Sequence, residues 1–237
     1  GMAAIILGSR SQDEFGEVPA GISAGWDGYR GTPNLVRLFE YANNDAPKAS
    51  EIKDRRGIFF DKNRSIDITT AVNGTFKTEG WAVYKYTNLK SNGESGSNST
   101  FPDTDFPLFR LADVYLMYAE AVVRGGQGGD LATAVGYVND LRERAYGDRL
   151  HGVNEAWLKA DNYRNILNER GRELYWEALR RTDLIRFGLF TSASYLWPYK
   201  GGVMGGVGVD NRYNVFPIPA TDLSVNGSLQ QNDGYKN

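Results

Sequence analysis

The chain has 237 residues, 29 of them acidic and 27 basic, and its formal net charge is −2. A nucleic-acid-binding domain presents a strongly basic surface, so this balance argues against that class of protein. The sequence has no cysteine, which excludes disulfides, thiolate metal sites and cysteine nucleophiles. No apolar run approaches the ~18 residues expected of a membrane-spanning helix.

Glycines interrupt the first 30 residues, which predicts an irregular loop there. Gly1 and Met2 resemble the remnant of a cleaved expression tag, and we expect an artificial start to the chain. The apolar segment 3–7 is too short for the core of a signal peptide and has no basic leader. Thr32 as N-cap and Pro33 in the first turn then predict a short helix.

Two short strands are predicted in the first half of the chain. The apolar residues 58–60 suit one strand, and residues 81–86 alternate so that their aromatic side chains would share one face. Residues 91–100 are rich in Gly, Ser and Asn and predict a surface loop.

Between these strands, a segment partly matches a calcium-binding loop. Ile66 stands where such a loop needs glycine, and Val72 stands where it needs glutamate. We therefore favour a solvated turn and predict neither a metal site nor a cofactor. The alternating polar residues of this segment are Asp61, Asn63, Ser65 and Asp67.

The middle of the chain predicts a helical hairpin. Residues 110–124 repeat apolar side chains at spacings of three and four, as one face of a helix does, and a glycine-rich segment ends them. Asp130 then predicts the N-cap of a second helix that runs to Ala145. Two amphipathic helices with a short connection pack antiparallel, as in tetratricopeptide-like pairs.

A third helix is predicted from near Asp161 to Arg186, with Ala178 facing inward and Trp176 in the core. Its glutamates recur every fourth residue, so on one helix they would repel each other unless cations lie between them. We predict that Glu169, Glu173 and Glu177 pair with arginines of the same helix and of the hairpin. The candidate partners are Arg110, Arg142, Arg144, Arg172 and Arg181.

The last part of the chain predicts little regular structure. Residues 191–210 combine glycines with aromatic residues, Pro217 and Pro219 favour an extended segment, and a short helical turn is expected at 220–223. The predicted fold class is mainly α, with tetratricopeptide-like helical hairpins, extensive irregular loops and a few short strands. We predict a single domain over 1–237, with a loop-rich part (1–105), a helical core (106–188) and a loop-rich tail (189–237).

Several of these segments resemble the SusD/RagB family of outer-membrane nutrient-binding lipoproteins. Their order and spacing are similar to the C-terminal half of that family. The segments are 110–121, 138–145, 169–186, and the tail formed by Val215-Phe216-Pro217-Ile218-Pro219 and residues 229–235.

The resemblance implies a non-enzymatic binder of glycans, or of peptides in one branch, at the surface of the cell outer membrane. It also implies a partner, a SusC-like TonB-dependent transporter that receives the oligosaccharide. Family members begin with a signal peptide, a lipidated cysteine and further tetratricopeptide-like helices, which this sequence does not show. We therefore expect any membrane contact to depend on a lipid anchor outside this chain.

Aromatic side chains beside glycines are the candidates for sugar contacts. In segment 25–31, flanking glycines leave Trp26 and Tyr29 with little local cover, so a sugar ring could stack on them. Asp27 and Arg30 would then bind the sugar hydroxyls. The alternative is that both rings fold back as a plug on the helical core. Further candidates are Trp81, Tyr84, Trp197 and Tyr199.

Catalytic alternatives remain open. His151 is the only histidine, which excludes a multi-histidine zinc site, and its position in a loop favours an ordinary surface role. Any two of the 29 acidic residues could form the carboxylate pair of a glycoside hydrolase, and no pattern selects a pair. A glycoside hydrolase and a tetratricopeptide-like protein-interaction scaffold are therefore the rivals of a glycan binder.

Overall fold

The structure is a computed structural model that describes residues 2–10, 20–26, 28–70 and 77–236. It confirms the mainly α fold class with extensive irregular loops. The helices are α1 (Met2–Gly8), α2 (Pro33–Val36), α3 (Leu111–Val123), α4 (Leu131–Tyr146), α5 (Glu155–Leu174), α6 (Arg180–Arg186) and α7 (Ala220–Val225). The strands β1 (Phe59–Phe60) and β2 (Ala82–Val83) pair antiparallel, with Phe59 opposite Val83.

The chain divides into two compact units, residues 1–180 and residues 181–237. This boundary falls at the beginning of α6, eight positions before the predicted end of the helical core. The single domain over 1–237 stays a prediction. Among the described residues, no helix combines the length and the apolar character needed to cross a membrane.

Helices α3 and α4 form the predicted antiparallel hairpin. Tyr115 stacks on Tyr137 with 4.1 Å between ring centroids, and the Asp130 N–H donates to Tyr118 Oη over 3.1 Å. The end of α3 therefore lies beside the beginning of α4. Asp130 caps α4 as predicted, because its Oδ1 accepts a hydrogen bond from the Thr133 N–H over 2.8 Å.

The hairpin and α5 enclose one apolar core, as their matched stripes predicted. Its buried side chains are Ala112, Leu116, Ala119, Ala134, Val138, Leu141, Leu158, Ile166 and Leu174. A second core lies around the two-stranded sheet and includes Val36, Phe39, Phe59, Trp81, Val83 and Tyr175.

The third helix differs from its prediction at both ends. It begins at Glu155, after an N-cap at Asn154, and Asp161 lies instead within a short non-helical break at 160–163. It ends at Leu174 and does not continue to Arg186. Trp176 and Ala178 have φ angles of 62° and 61°, outside the helical range. The predictions of an inward Ala178 and of Trp176 in mid-helix were wrong: Ala178 is exposed and Trp176 is half-buried.

Side chains from elsewhere in the chain explain why α5 ends there. Lys85 Nζ donates to the backbone oxygens of Glu173 over 3.1 Å and of Tyr175 over 2.7 Å. Arg110 Nη2 also donates to the Glu173 oxygen over 3.1 Å. These cations satisfy carbonyls that the amides of a further helical turn would otherwise bind.

The first 30 residues also differ from the prediction, because residues 2–8 form α1. Ile6 and Leu7 are 0% and 2% exposed. The apolar segment that is too short for a signal peptide is thus a buried helix, whose side chains gain their free energy from tertiary burial.

In the second unit, Arg181 does not pair with the glutamates, contrary to the prediction. Its guanidinium lies over the ring of Phe216, 4.1 Å from the centroid, and donates to the Tyr213 oxygen over 2.8 Å. The prolines hold an extended segment here. The Gln231 amide clamps it by accepting from the Ile218 N–H and donating to the Ile218 oxygen.

Candidate functional site

The predicted pairing of the glutamates with arginines is confirmed, and more residues take part than predicted. We call this set of paired residues the ion-pair network. Glu169 accepts from Arg142 Nη1 over 2.9 Å and from Arg172 Nη2 over 2.5 Å. Glu177 remains a member although it follows the end of α5. The members are Asp54, Glu169, Glu173, Glu177, Arg56, Lys85, Arg110, Arg142, Arg144 and Arg172.

The sequence prediction missed Arg56, Asp54 and Lys85 in this network. Arg56 Nη1 lies 2.7 Å from Glu169 Oε1, and its Nη2 lies 2.6 Å from Asp54 Oδ2. These residues come from the loop-rich part of the chain, far from the glutamates in sequence. No periodic pattern connects them, so no local signal could have identified them.

The network keeps the buried carboxylates of Glu169 and Glu173 ionised. Burial on its own would raise the pKa of Glu169, but Arg172, Arg56 and Arg142 outweigh it and lower that pKa to about 2. The pKa of Glu173 is likewise lowered, because Arg144, Arg56 and Arg110 outweigh the effect of burial. A glycoside hydrolase needs one carboxylic acid with a raised pKa. These glutamates are therefore suited to holding the fold together and not to proton donation.

The candidate glycan contacts in segment 25–31, which we call the aromatic segment, are held by backbone hydrogen bonds at both ends. The N–H of Trp26 donates to the Leu7 oxygen over 2.8 Å, and the N–H of Tyr29 donates to the Gly8 oxygen over 2.9 Å. At the other end, the Gly31 N–H donates to the Trp81 oxygen over 2.7 Å. The segment is thereby fixed between α1 and the residues that precede β2.

The two rings of the aromatic segment face solvent. Trp26 is 57% exposed and Tyr29 is 53% exposed. This exposure argues against the alternative of a plug buried on the core. Rings held on an anchored backbone lose little conformational freedom when a ligand stacks on them.

Trp176 extends this aromatic surface and was not predicted as a site residue. Its ring meets that of Tyr29 edge-on, with centroids 6.2 Å apart and an interplanar angle of 86°. The left-handed backbone after α5 turns Trp176 towards Tyr29. Gly8 supports the other side of the Tyr29 ring, because a Cβ at Gly8 would lie 2.6 Å from Tyr29 Cδ2.

Of the two polar candidates for sugar contacts, Arg30 and Asp27, the structure describes only Arg30. Arg30 is half-buried, and its Nη1 donates to the Glu79 oxygen over 2.9 Å. This bond holds the guanidinium against the residues that precede β2. Asp27 lies outside the described residues, and so does Val72 of the calcium-like segment.

Trp81 does not offer a surface to a ligand. It is 2% exposed, and its ring packs edge-on to Tyr41 at a centroid distance of 6.0 Å and beside Phe59 at 6.2 Å. Its burial in the second core removes it from the candidate glycan contacts. Its backbone oxygen accepts the hydrogen bond from the Gly31 N–H that holds the aromatic segment. Tyr84 is also buried, with 3% exposure.

Trp197 and Tyr199 lie in the second unit. The Trp197 ring is half-buried beside Phe190, at a centroid distance of 5.7 Å, and Lys200 Nζ lies 4.6 Å from the centroid. Tyr199 has a left-handed backbone, with a φ of 63°, before a 3-10 turn. Contacts within this unit therefore already cover part of the Trp197 ring.

His151 makes side-chain contacts with residues close to it in the sequence. Its ring stacks on Tyr146 with centroids 3.9 Å apart, and its Nδ1 lies 3.0 Å from Asp148 Oδ1. In the part of the chain that the structure describes, no group of three or more His, Asp or Glu side chains could hold a metal ion. Within the calcium-like segment, Asp61 Oδ2 instead accepts from the Ala49 N–H over 2.9 Å.

Comparison with known proteins identifies the family. The model of the SusD family matches residues 63–235. The chain belongs to the SusD family. The starch-binding protein SusD of Bacteroides thetaiotaomicron is 45% identical over 169 residues, which cover 71% of this chain and 28% of that protein.

Solved structures of the SusD family share the fold. A SusD-like protein of Bacteroides fragilis matches with a TM-score of 0.62 at 20% identity, over 98% of this chain and 51% of its own. Surface glycan-binding protein A of Bacteroides uniformis matches with a TM-score of 0.57 at 20% identity, over 89% of this chain and 42% of its own. The chain thus spans about half or less of the length of these SusD relatives.

The SusD-family match includes most of the ion-pair network and excludes the aromatic segment. It contains the helical hairpin, α5 and the glutamates of the ion-pair network. It begins after the aromatic segment, which ends at residue 31. Most members of the network therefore lie in the family-matched region, and Asp54 and Arg56 precede it. Trp26 and Tyr29 also lie outside the match, so their candidacy depends on their own geometry.

Proposed function

We propose that this chain is part of a non-enzymatic glycan-binding protein and that the aromatic segment contacts the oligosaccharide. The observation that carries the proposal is the exposure of Trp26 and Tyr29, at 57% and 53%, on a backbone anchored at both ends. Exposed, rigid aromatic faces suit the C–H face of a sugar ring. The name of the starch-binding relative and that of the surface glycan-binding structure support the same ligand class.

In this proposal the protein acts at the surface of the outer membrane and passes its oligosaccharide to a SusC-like TonB-dependent transporter. Membership of the SusD family supports this part. Copurification of the tagged parent protein with a TonB-dependent transporter from its own membrane fraction tests it. Recovery of the protein without any such transporter would contradict the proposed partner.

The absence of catalysis is also part of the proposal. The ordered carboxylates Glu169 and Glu173 are held ionised by guanidinium groups, so neither suits a general acid. Incubation with a panel of oligosaccharides, followed by product analysis, is expected to return every substrate intact. Shortened products would favour a glycoside hydrolase.

A second candidate function is that of a protein-interaction scaffold. Helix α3 presents an apolar face to solvent, on which Leu111, Val114 and Met117 are 64%, 51% and 50% exposed. Phe109 continues this face at 93% exposure. Exposed apolar patches of this kind mark interaction surfaces. A peptide ligand in place of a glycan would be the corresponding alternative for the aromatic segment.

Calorimetric titration with neutral oligosaccharides, maltoheptaose among them, tests the glycan proposal. One or two stacked rings contribute only about 0.5–1.5 kcal/mol each beyond area burial, against at least ~4 kcal/mol of lost rigid-body freedom. We therefore expect binding in the millimolar range for this chain and tighter binding for a longer protein that includes the rest of a SusD-family sequence.

Two substitutions test whether the rings of the aromatic segment contact the oligosaccharide. Trp26→Ala and Tyr29→Ala should each abolish measurable binding, whereas Phe101→Ala, which removes another exposed ring (71%), should leave it unchanged. Micromolar binding that survives both substitutions in the aromatic segment would refute the proposed contact.

A further inference from the structure

A cavity of about 330 Å³, open to solvent, lies beside the ion-pair network in the first unit. Its volume is at the small end of the range for ligand pockets, ~300–1,000 Å³. Part of its lining is apolar, from Ile58, Pro107 and the ring of Tyr175. The rest is polar and mostly cationic.

The cavity carries an excess of positive charge. Four cationic side chains, Arg55, Arg56, Lys85 and Arg110, line it together with two carboxylates, Glu173 and Glu177, which leaves two positive charges in excess. A cleft with charge of one sign focuses its field on the space inside. A guest with a negative charge is therefore favoured over a neutral one.

Most of these cations already use their donors. Lys85 Nζ donates to two backbone oxygens and to Glu177 Oε1. Arg110 donates through Nε, Nη1 and Nη2 to Glu173 and Glu177. These groups contribute charge to the cavity, and a direct contact with a guest must come from other lining residues.

Two lining residues carry donors that no described residue uses. The Tyr86 hydroxyl is buried and has no hydrogen-bond partner among the described residues. Burial, followed by the nearby Glu177, raises the pKa of Tyr86 to about 12, so the hydroxyl keeps its proton and can donate. Arg55 is exposed, and within the described ranges no hydrogen bond or ion pair engages its guanidinium.

A buried donor without a partner costs free energy, which a ligand with an acceptor oxygen would recover. Arg55 adds a fork of donors that matches a carboxylate. The apolar lining offers contact to C–H groups, which a small inorganic anion lacks. A ligand that uses the Tyr86 donor, the Arg55 guanidinium and the apolar lining is a sugar with a carboxylate.

We propose that this cavity binds an acidic sugar residue of the hexuronate class, with its carboxylate on Arg55 and an oxygen accepting from Tyr86. This second subsite rests on the proposed function in glycan binding and adds a preference for acidic glycans. It is separate from the aromatic segment, because none of the residues of that segment lines the cavity.

Titration of the whole chain with sodium glucuronate, glucose and sodium acetate, followed by ligand-observed NMR, tests the proposal. We expect saturable millimolar binding of glucuronate, weakened at high salt because the contact is ionic, and binding of glucose and acetate at least about tenfold weaker.

Two variants remove the proposed contacts without breaking an observed one. Arg55→Gln should weaken glucuronate binding about tenfold or more, and Tyr86→Phe about threefold to tenfold. Both variants should keep the melting temperature of the unsubstituted chain, because neither substitution removes a hydrogen bond or an ion pair of the side chain. Arg149→Gln is the matched control, since this guanidinium is 85% exposed and does not line the cavity.

Three results would overturn the proposal: no saturable glucuronate binding up to about 50 mM, equal binding of glucose or acetate, or glucuronate binding unchanged in both variants. The neutral oligosaccharide titration distinguishes this failure from failure of the proposed function. Trp26→Ala should abolish neutral oligosaccharide binding and leave glucuronate binding intact. Arg55→Gln should weaken glucuronate binding and leave neutral oligosaccharide binding intact.

Discussion

Glu169 is the most informative position at which to test the ion-pair network. Its side chain is completely buried and lies against three guanidiniums, those of Arg56, Arg142 and Arg172. Glu169→Gln keeps the size of the side chain and removes its charge. The three cations would then remain close together without their shared counter-ion.

The size of the effect follows from the pKa. The lowering from 4.5 to about 2 corresponds to about 3 kcal/mol of stabilisation at neutral pH, since one pKa unit is about 1.4 kcal/mol. Removal of one partner of a buried ion pair costs about 3–5 kcal/mol, which agrees. For a protein of this size each kcal/mol lowers the melting temperature by about 2–4 °C, so we expect a loss of about 6–20 °C.

The same pKa predicts the dependence on pH. The folded-state pKa of Glu169 is lowered, so its contribution is complete above the ordinary value of 4.5 and is lost as the pH falls towards about 2. The free energy of unfolding of the parent chain should therefore fall steeply through this window. Glu169→Gln should show a shallower fall, because it has no carboxylate to protonate there.

Thermal unfolding followed by circular dichroism, at neutral pH and at several values down to pH 2, measures both effects. Glu143→Gln is the control, because Glu143 and its partner Arg149 are 42% and 85% exposed, and such surface pairs contribute about 0–1 kcal/mol. Equal and small losses from Glu169→Gln and Glu143→Gln would refute the structural role of the network.

Two further predictions concern the backbone that carries the site. Gly8→Ala would place a Cβ 2.6 Å from Tyr29 Cδ2, so we expect a loss of about 1–3 kcal/mol in chemical denaturation and weaker oligosaccharide binding; unchanged affinity would mean that the Tyr29 ring does not need this support. Asn154→Ala removes the side chain that accepts from the Trp157 N–H over 3.0 Å at the N-terminus of α5 and should lower the stability by about 1 kcal/mol. Asn154→Asp keeps the acceptor and should be neutral, and equal losses from both variants would contradict the capping role.

The aromatic segment shows where sequence reasoning stopped. Flanking glycines correctly suggested little local cover for Trp26 and Tyr29, but the same argument gave no reason to separate them from Trp81. Their exposures of 57% and 53% contrast with 2% for Trp81. This difference arises because Trp81 directly precedes β2 and packs among side chains of the second core, whereas backbone hydrogen bonds hold Trp26 and Tyr29 outside that core.

The helical hairpin was determined by the sequence itself. The stripe spacing and the Asp130 cap act within a few residues of each other, so a local pattern contains them completely. The paired glutamates were also predictable, because like charges four residues apart require nearby cations.

The tertiary structure alone decided which cations those are and where α5 ends. Arg56 reaches Glu169 across 113 positions of sequence, and Lys85 reaches Glu177 across 92. The same Lys85 binds the carbonyls that end α5 early, and this ending turns Trp176 towards Tyr29. Helix periodicity and capping depend on neighbours in the chain, whereas ion pairing, burial and helix termination of this kind depend on residues that only folding brings together.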